Sequence, residues 1–113
     1  MDQIGFALPV MPGQTGAARD FFQELEGTRK QAYAASEQRI GVTREFWYLQ
    51  QTPQGDLLVA YIESPDAASA LQRFAQSHDD FDQWFKRELA AVTGVDLNNP
   101  PPWPLSEQVS NYA

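Results

Sequence analysis

The stretch that decides the fold is FWYLQQTPQGDLLVAYIE, residues 46–63. Two runs rich in aromatic and β-branched residues flank Pro53-Gln54-Gly55-Asp56, a composition typical of a tight turn. We therefore predict a β-hairpin, formed by one strand over Val42–Thr52 and a returning strand over Leu57–Glu63.

Alternation along the two predicted strands separates two faces of different chemistry. With the turn centred on Gln54-Gly55, Tyr48 is expected opposite Tyr61 and Gln50 opposite Val59. One face is almost purely apolar and suits packing against helices; it consists of Trp47, Leu49, Leu58, Ala60 and Ile62. The other, which we call the mixed face, consists of Arg44, Phe46, Tyr48, Gln50, Val59, Tyr61 and Glu63.

The mixed face suits neither bulk water nor a core covered by helices. Burying an unpaired glutamate or amide costs about 1–3 kcal/mol or more, whereas exposing its aromatic residues together leaves an apolar patch of the kind that marks interaction sites. We predict that a second copy of the chain covers this face, giving a homodimer with a partly polar cleft between two sheets. A small ligand in the cleft would contact Arg44, Phe46, Tyr48, Gln50, Tyr61 and Glu63. Alternatively, these residues only satisfy one another across the subunit interface.

The residues before and after the hairpin predict further elements. Ile4–Val10 predicts a first strand, and apolar residues at helical spacing then predict a long helix that begins near Thr15 and ends at Gly41. Gly27-Thr28 weakens the middle of this helix, where a kink is expected. After the hairpin, Ser64-Pro65-Asp66 predicts the start of a second helix.

The last third of the chain predicts a third helix, capped by Asp79 and ended by Gly94. Residues 98–113 predict an extended proline-rich crossing followed by an edge strand over Leu105–Val109. The order β-α-β-β-α-α-β predicts a single ferredoxin-like α+β domain over residues 1–113, with an antiparallel sheet and helices on one face.

Composition and charge exclude several kinds of partner. The 113 residues carry a net charge of −7 and include no cysteine. An acidic chain repels phosphate backbones, so nucleic acid is not predicted as a partner. The N-terminal MDQIGFALPVMPGQ lacks the basic region of a signal peptide, and no run approaches the roughly 18 apolar residues of a membrane span. We therefore expect a cytoplasmic protein without a membrane partner.

Residues that suggest catalysis or metal binding are few. The only histidine, His78, is a weak candidate for a general base or haem ligand oriented by Asp79 or Asp80; the alternative is a loop residue before a helix that these aspartates cap. Asp79, Asp80 and Asp82 lack the spacing of a calcium-binding loop, so no metal site is predicted. Phosphate-binding glycine loops and hydrolase motifs are absent, and we predict no cofactor.

Four segments resemble a family of small bacterial proteins of unassigned function. They are GVTRE at 41–45, QQTPQGD at 50–56, FDQWF at 81–85, and GVDL at 94–97 followed by PPP at 100–102. The order of the elements also resembles the dimeric α+β barrel superfamily. These resemblances, over about residues 38–105, imply a ferredoxin-like fold and a dimer but carry no catalytic residues.

Three functions stay open at this point. The leading prediction is a small acidic homodimer that binds a small, partly apolar molecule in the cleft or has a purely structural role. The superfamily includes cofactor-independent monooxygenases, so an enzyme of that kind, using His78 or a cleft tyrosine, is the alternative. A protein–protein adaptor with an exposed strand or acidic helices is the third. Whether the chain is an enzyme is left open by the sequence.

Overall fold

Three antiparallel strands and four helices make up the structure, a computed structural model that describes residues 1–113. The elements, in chain order, are β1 (Asp2–Pro9), α1 (Thr15–Glu26), α2 (Lys30–Ile40), β2 (Arg44–Thr52), β3 (Gly55–Ser64), α3 (Ala67–Gln76) and α4 (Asp80–Thr93). The sheet has the order β1-β3-β2, so that β1 and β2 are its edges. None of the helices has the length and hydropathy that crossing a bilayer requires.

The predicted long first helix is two helices, α1 and α2. α1 ends at Gly27, whose N–H donates to the carbonyl of Glu24 at 3.1 Å, and α2 begins after Arg29. The side chains of Glu24 and Arg29 form an ion pair at 2.9 Å across the bend. The low helix propensity of Gly27-Thr28 therefore produces a full break where only a kink was expected.

The end of α2 at Gly41 is confirmed, and its geometry shows why glycine is needed there. Gly41 has a φ of 90°, and a Cβ at this position would lie 2.7 Å from Nη2 of Arg73. The guanidinium of Arg73 donates to the carbonyl of Ile40 from Nη2 at 2.7 Å and from Nε at 3.1 Å. This cation satisfies the last turn of α2 and connects it to α3.

The hairpin forms, but its register differs by two residues from the predicted one. The observed pairs include Arg44 with Glu63, Phe46 with Tyr61, Trp47 with Ala60 and Tyr48 with Val59. Thr52 pairs with Gly55, so the loop is Pro53-Gln54 rather than Gln54-Gly55. The fixed φ of Pro53 suits the first position of the loop, and Gly55 takes the positive φ, 129°. Because the shift is an even number, every side chain keeps its predicted face.

The core lies between the sheet and the helices and is rich in aromatic side chains. Its centre is Phe85 of α4, whose ring centroid lies 5.2–6.3 Å from five other rings, those of Phe21, Tyr33, Trp47, Phe74 and Phe81. The apolar residues of the inward face of β3, Leu58, Ala60 and Ile62, are buried as predicted. The aromatic rings therefore join the helices to one face of the sheet.

The C-terminal segment forms no strand, which corrects the edge strand predicted over Leu105–Val109. Residues 98–113 run past the free edge of β1, and a single hydrogen bond, from the N–H of Gly5 to Oγ of Ser106 at 3.1 Å, joins this segment to the strand. Pro100, Pro101, Pro102 and Pro104 have no N–H to donate to a ladder, and the residues after them are largely exposed. A ladder with β1 therefore does not start.

Candidate functional site

The mixed face lies on the side of the sheet that carries no helix. Phe46 and Tyr48 of β2 are 44% and 60% exposed. The ring of Phe46 stacks on Tyr61 with centroids 6.1 Å apart and an angle of 10°. The hydroxyl of Tyr61 donates to Oε2 of Glu63 at 2.7 Å, and this hydrogen bond raises the pKa of Tyr61. The single chain therefore exposes an aromatic patch on this face, as predicted.

The polar groups of the mixed face are only partly satisfied within the chain. Arg44 lies directly opposite Glu63 in the ladder, yet the two side chains form no ion pair. The amide of Gln50 donates only to the carbonyl of its neighbour Gln51, at 3.1 Å. The six predicted ligand-contact residues thus share one face, and their role in binding stays a prediction.

His78 is exposed in the loop between α3 and α4, and its imidazole forms no hydrogen bond. Asp79 instead caps α4, since its Oδ2 accepts from the N–H groups of Phe81 at 3.0 Å and Asp82 at 3.3 Å. Asp79 also pairs with Arg39 at 3.0 Å. The aspartate therefore orients a helix start rather than the imidazole, and a catalytic role for His78 stays a prediction without structural support.

The structure reveals a pair of carboxyl groups that sequence reasoning missed. Glu45 of β2 points to the helix side of the sheet, where its Oε2 accepts from the hydroxyl of Tyr33 at 2.6 Å and from Nε1 of Trp47 at 2.9 Å. Its carboxyl group also shares a hydrogen bond with that of Glu37 of α2. We call Glu37 and Glu45 the carboxyl pair.

Burial controls the protonation of the carboxyl pair. Burial, followed by the charge of Glu45, raises the pKa of Glu37 to about 9. Burial also raises the pKa of Glu45, against the lowering effect of its three donors Trp47, Tyr33 and Glu37. At neutral pH Glu37 therefore holds a proton. Burial raises the pKa of Tyr33 as well, so its phenol remains a neutral donor.

Two spaces meet at the carboxyl pair. An interior cavity of about 30 Å³ lies between the helices and the sheet, enough for one or two water molecules. A second space of about 230 Å³, which we call the edge depression, is lined by Phe22, Leu25, Glu26, Tyr33, Glu45, Phe46, Trp47 and Tyr48. Because the lining includes residues of both faces of β2, the edge depression lies at the free edge of that strand. Tyr33, Glu45 and Trp47 line both spaces.

Comparison with solved structures identifies the fold. L-rhamnose mutarotase FA22100 from Formosa agariphila superposes with a TM-score of 0.63 at 16% identity, covering 100% of both chains. Tetracenomycin F2 cyclase from Streptomyces glaucescens, a type II polyketide cyclase, superposes with a TM-score of 0.58 at 18% identity, covering 100% of this chain and 98% of the other. The chain shares the ferredoxin-like α+β fold of these two proteins. The predicted fold class is confirmed.

Comparison of sequences does not assign the chain to a family within this fold. No family model matches the chain, and no curated protein matches it in sequence. The resemblance of four segments to a family of small bacterial proteins therefore stays a prediction.

Two features of the sequence point weakly to the carboxyl pair. Tyr33 and Glu37 are four residues apart and therefore project from the same side of α2. Glu45 occupies an odd position of β2, the parity of Trp47 and Leu49, so it is a charged residue on the face that packs against the helices. Nothing in a single sequence shows that α2 packs against this part of β2, and the pair was missed for that reason.

A second carboxylate, that of Asp82, joins two of the helices beside the site. Asp82 of α4 is fully buried and accepts from Oγ of Ser36, from Oγ of Ser77 at 2.5 Å and from Nη2 of Arg39 at 3.1 Å. These contacts hold α2 against α4 and thereby set the position of Glu37. The role of Asp82 is structural, and no group of three or more His, Asp or Glu residues is arranged to hold a metal ion.

Proposed function

We propose that the protein binds a small, partly aromatic molecule in the edge depression and does so as a homodimer joined through the mixed faces. The observation that carries the proposal is the composition of the depression. Five aromatic side chains and the carboxyl group of Glu45 line the same space; the aromatic residues are Phe22, Tyr33, Phe46, Trp47 and Tyr48. Apolar walls with a few convergent polar groups are typical of small-molecule sites.

The dimensions of the site favour a ligand of one or two rings. The edge depression has about 230 Å³, below the usual range of drug-sized pockets, which begins at about 300 Å³. A neighbouring depression of about 250 Å³ shares Phe22, Trp47 and Tyr48 with it. The rings of Phe22 and Trp47, 5.3 Å apart, stand between the two spaces. An elongated, flat molecule along the free edge of β2 fits this arrangement.

The homodimer part of the proposal rests on Phe46 and Tyr48. Both belong to the exposed mixed face and both line the edge depression. A second copy that covers the mixed face would therefore also close one wall of the depression. The two proteins of similar fold are named for reactions on a sugar and on a polyketide, which supports a small molecule as the ligand.

Titration with 2-naphthol, a neutral two-ring alcohol, tests this function through the tryptophan fluorescence, to which Trp47 of the depression contributes together with Trp84 and Trp103. We expect saturable quenching by the wild-type protein. Tyr48→Ala should weaken binding by about tenfold, equal to about 1.4 kcal/mol, because it removes one wall of the depression. Tyr112→Ala, at a fully exposed C-terminal tyrosine, is the matched control and should bind like the wild type.

Two outcomes would contradict the proposal. One is the absence of saturable quenching in the wild type, and the other is equal affinity of the Tyr48→Ala and Tyr112→Ala variants. Native mass spectrometry of the freshly purified protein adds an independent readout, since a retained small molecule should raise the mass of the wild type above that of the variant.

A further inference from the structure

We infer that Glu45 is a general base that removes a proton from the carbon next to a carbonyl group, in a small neutral ketone bound in the edge depression. The inference rests on the proposed function, because it gives a reaction to the same depression. It commits to a substrate class, enolisable and uncharged, that binding alone does not require.

The first argument is the position of Glu45. Two carboxylates line the edge depression, Glu26 and Glu45. Glu26 is exposed and forms an ion pair with Lys30, whereas Glu45 stands at the inner end, between the depression and the interior cavity. A ligand held by the aromatic walls would therefore place its polar group against Glu45, away from bulk water.

The second argument is that the carboxyl pair is costly as a purely structural feature. Removing a carboxylate from water is unfavourable, and the cost is usually offset by a cation. Neither hydrogen-bond donor of Glu45 is a cation, and Arg39, on the same helix as Glu37, pairs with Asp79 and Asp82 instead. A polar group kept at such a cost in a cavity is a candidate for proton transfer.

The third argument is the hydrogen-bond arrangement, which suits a base. Tyr33 and Trp47 both donate to Oε2 of Glu45. These contacts fix the orientation of the carboxylate before a substrate arrives. Burial raises the pKa of Glu45, which makes it a stronger base than an exposed glutamate.

The reaction balances without an oxidant or a reductant. The C–H bond next to the carbonyl breaks, its proton moves to Glu45, and its electron pair forms the C=C bond of an enolate. When Glu45 takes the proton, the phenol of Tyr33, which also lines the depression, turns its single O–H from Oε2 of Glu45 to the enolate oxygen. Return of the proton from Glu45 to carbon regenerates the ketone and the carboxylate. Glu37 touches no substrate and acts as a positioning residue.

The charge of the site defines the substrate class. The titratable groups around Glu45 are neutral or negative. They are Tyr33 and Glu37 of α2, Glu26 of α1, whose charge acts on Tyr33, and Asp82 of α4, whose charge acts on Glu37. The lining of the edge depression includes no lysine or arginine. A carboxylate or phosphate on the ligand would therefore be repelled, and a neutral ketone is the class that fits.

Deuterium exchange of 2-tetralone, a neutral bicyclic ketone, tests the inference. In D₂O, proton NMR follows the loss of the signal of the hydrogens next to its carbonyl. We expect the wild type to accelerate the loss at least tenfold over buffer, Glu45→Gln to abolish the acceleration, and Glu107→Gln, at an exposed C-terminal glutamate, to retain it. Tyr33→Phe, which keeps the ring, should lower the rate even if Glu45→Gln does not fold by circular dichroism.

The pH profile tests the role of Glu37. Loss of its proton, near pH 9, places a second negative charge beside Glu45, so the rate should change in that range in the wild type. In Glu37→Gln this alkaline change should disappear. An unaltered profile in the variant would overturn the positioning role.

Binding measured by tryptophan quenching separates the two ideas. Two results with a wild type that binds 2-tetralone would overturn the inference and leave the proposed binding function standing. One is exchange no faster than in buffer, and the other is exchange as fast with Glu45→Gln as with the wild type. If neither 2-tetralone nor 2-naphthol binds, both are overturned.

Discussion

At the scale of single residues, Glu37 connects the chemistry of the site to the stability of the fold. A buried carboxyl with a raised pKa stabilises the folded state only while it is protonated. Glu37 has a pKa of about 9 in the folded protein and an ordinary value of 4.5. Between these values the folded state binds more protons than the unfolded chain, so the free energy of unfolding falls as the pH rises. The contribution of Glu37 to the free energy of unfolding is thus fully present below pH 4.5 and lost by about pH 9.

Replacing Glu37 by Gln should therefore raise the stability above that of the wild type at high pH and change it little at low pH. The amide keeps the size and a donor for Glu45 but has no proton to lose. We expect a gain in Tm at pH 8 of several degrees, since about 1 kcal/mol corresponds to about 4 °C in a domain of this size, and little gain at pH 5. Calorimetric melting at the two pH values measures it; an equal shift at both would contradict the linkage.

At the scale of elements, the end of α3 depends on one buried lysine. Nζ of Lys86, on α4, donates to the carbonyls of Phe74 at 2.7 Å, Ala75 at 3.3 Å and Ser77 at 3.0 Å. The side chain is completely buried, and burial lowers the pKa of Lys86. The cation satisfies the last carbonyls of α3, where the negative end of the helix dipole lies, and so fixes α3 against α4.

Lys86→Met should destabilise the protein by about 2 kcal/mol, because the apolar stem is kept while charged hydrogen bonds to three buried carbonyls are lost. Arg87→Met is the matched control: the neighbouring side chain is exposed, and its replacement should change the free energy of unfolding by less than about 0.5 kcal/mol. Urea unfolding followed by circular dichroism compares the two. Equal stability of both variants would show that the carbonyls find other partners.

The elements also show which features the sequence predicts. The faces of β2 and β3 follow from a period of two, so Phe46 and Tyr48 were placed correctly although the register was displaced by two residues. The displacement arose because Gly55 was read as a loop residue, whereas Pro53 opens the loop and Gly55 begins β3. The failed strand at 105–109 and the missed carboxyl pair both depend on long-range packing, which local patterns do not encode.

At the scale of the whole molecule, the sheet bears on the proposed dimer, because one of its faces carries no helix. All four helices lie on one side, and the other side presents the mixed face together with Gln3, Gly5, Ala7 and Pro9 of β1. The small side chains at Gly5 and Ala7 leave room beside β3, against which the exposed rings of a second copy can pack. Val59 stands near the middle of this surface, between Ala7 and Tyr48 in the ladder.

Val59→Arg is therefore expected to convert the proposed dimer into a monomer. In a symmetric dimer each change occurs twice, so two buried and unpaired guanidinium groups would oppose association. Light scattering at micromolar concentration should give the mass of two chains for the wild type and that of one chain, 12.7 kDa, for the variant. Gln108→Arg, on the exposed C-terminal segment, adds the same charge outside the sheet and should leave the mass unchanged. A wild-type protein that is already monomeric at this concentration would remove the dimer from the proposed function, and with it the second wall of the edge depression.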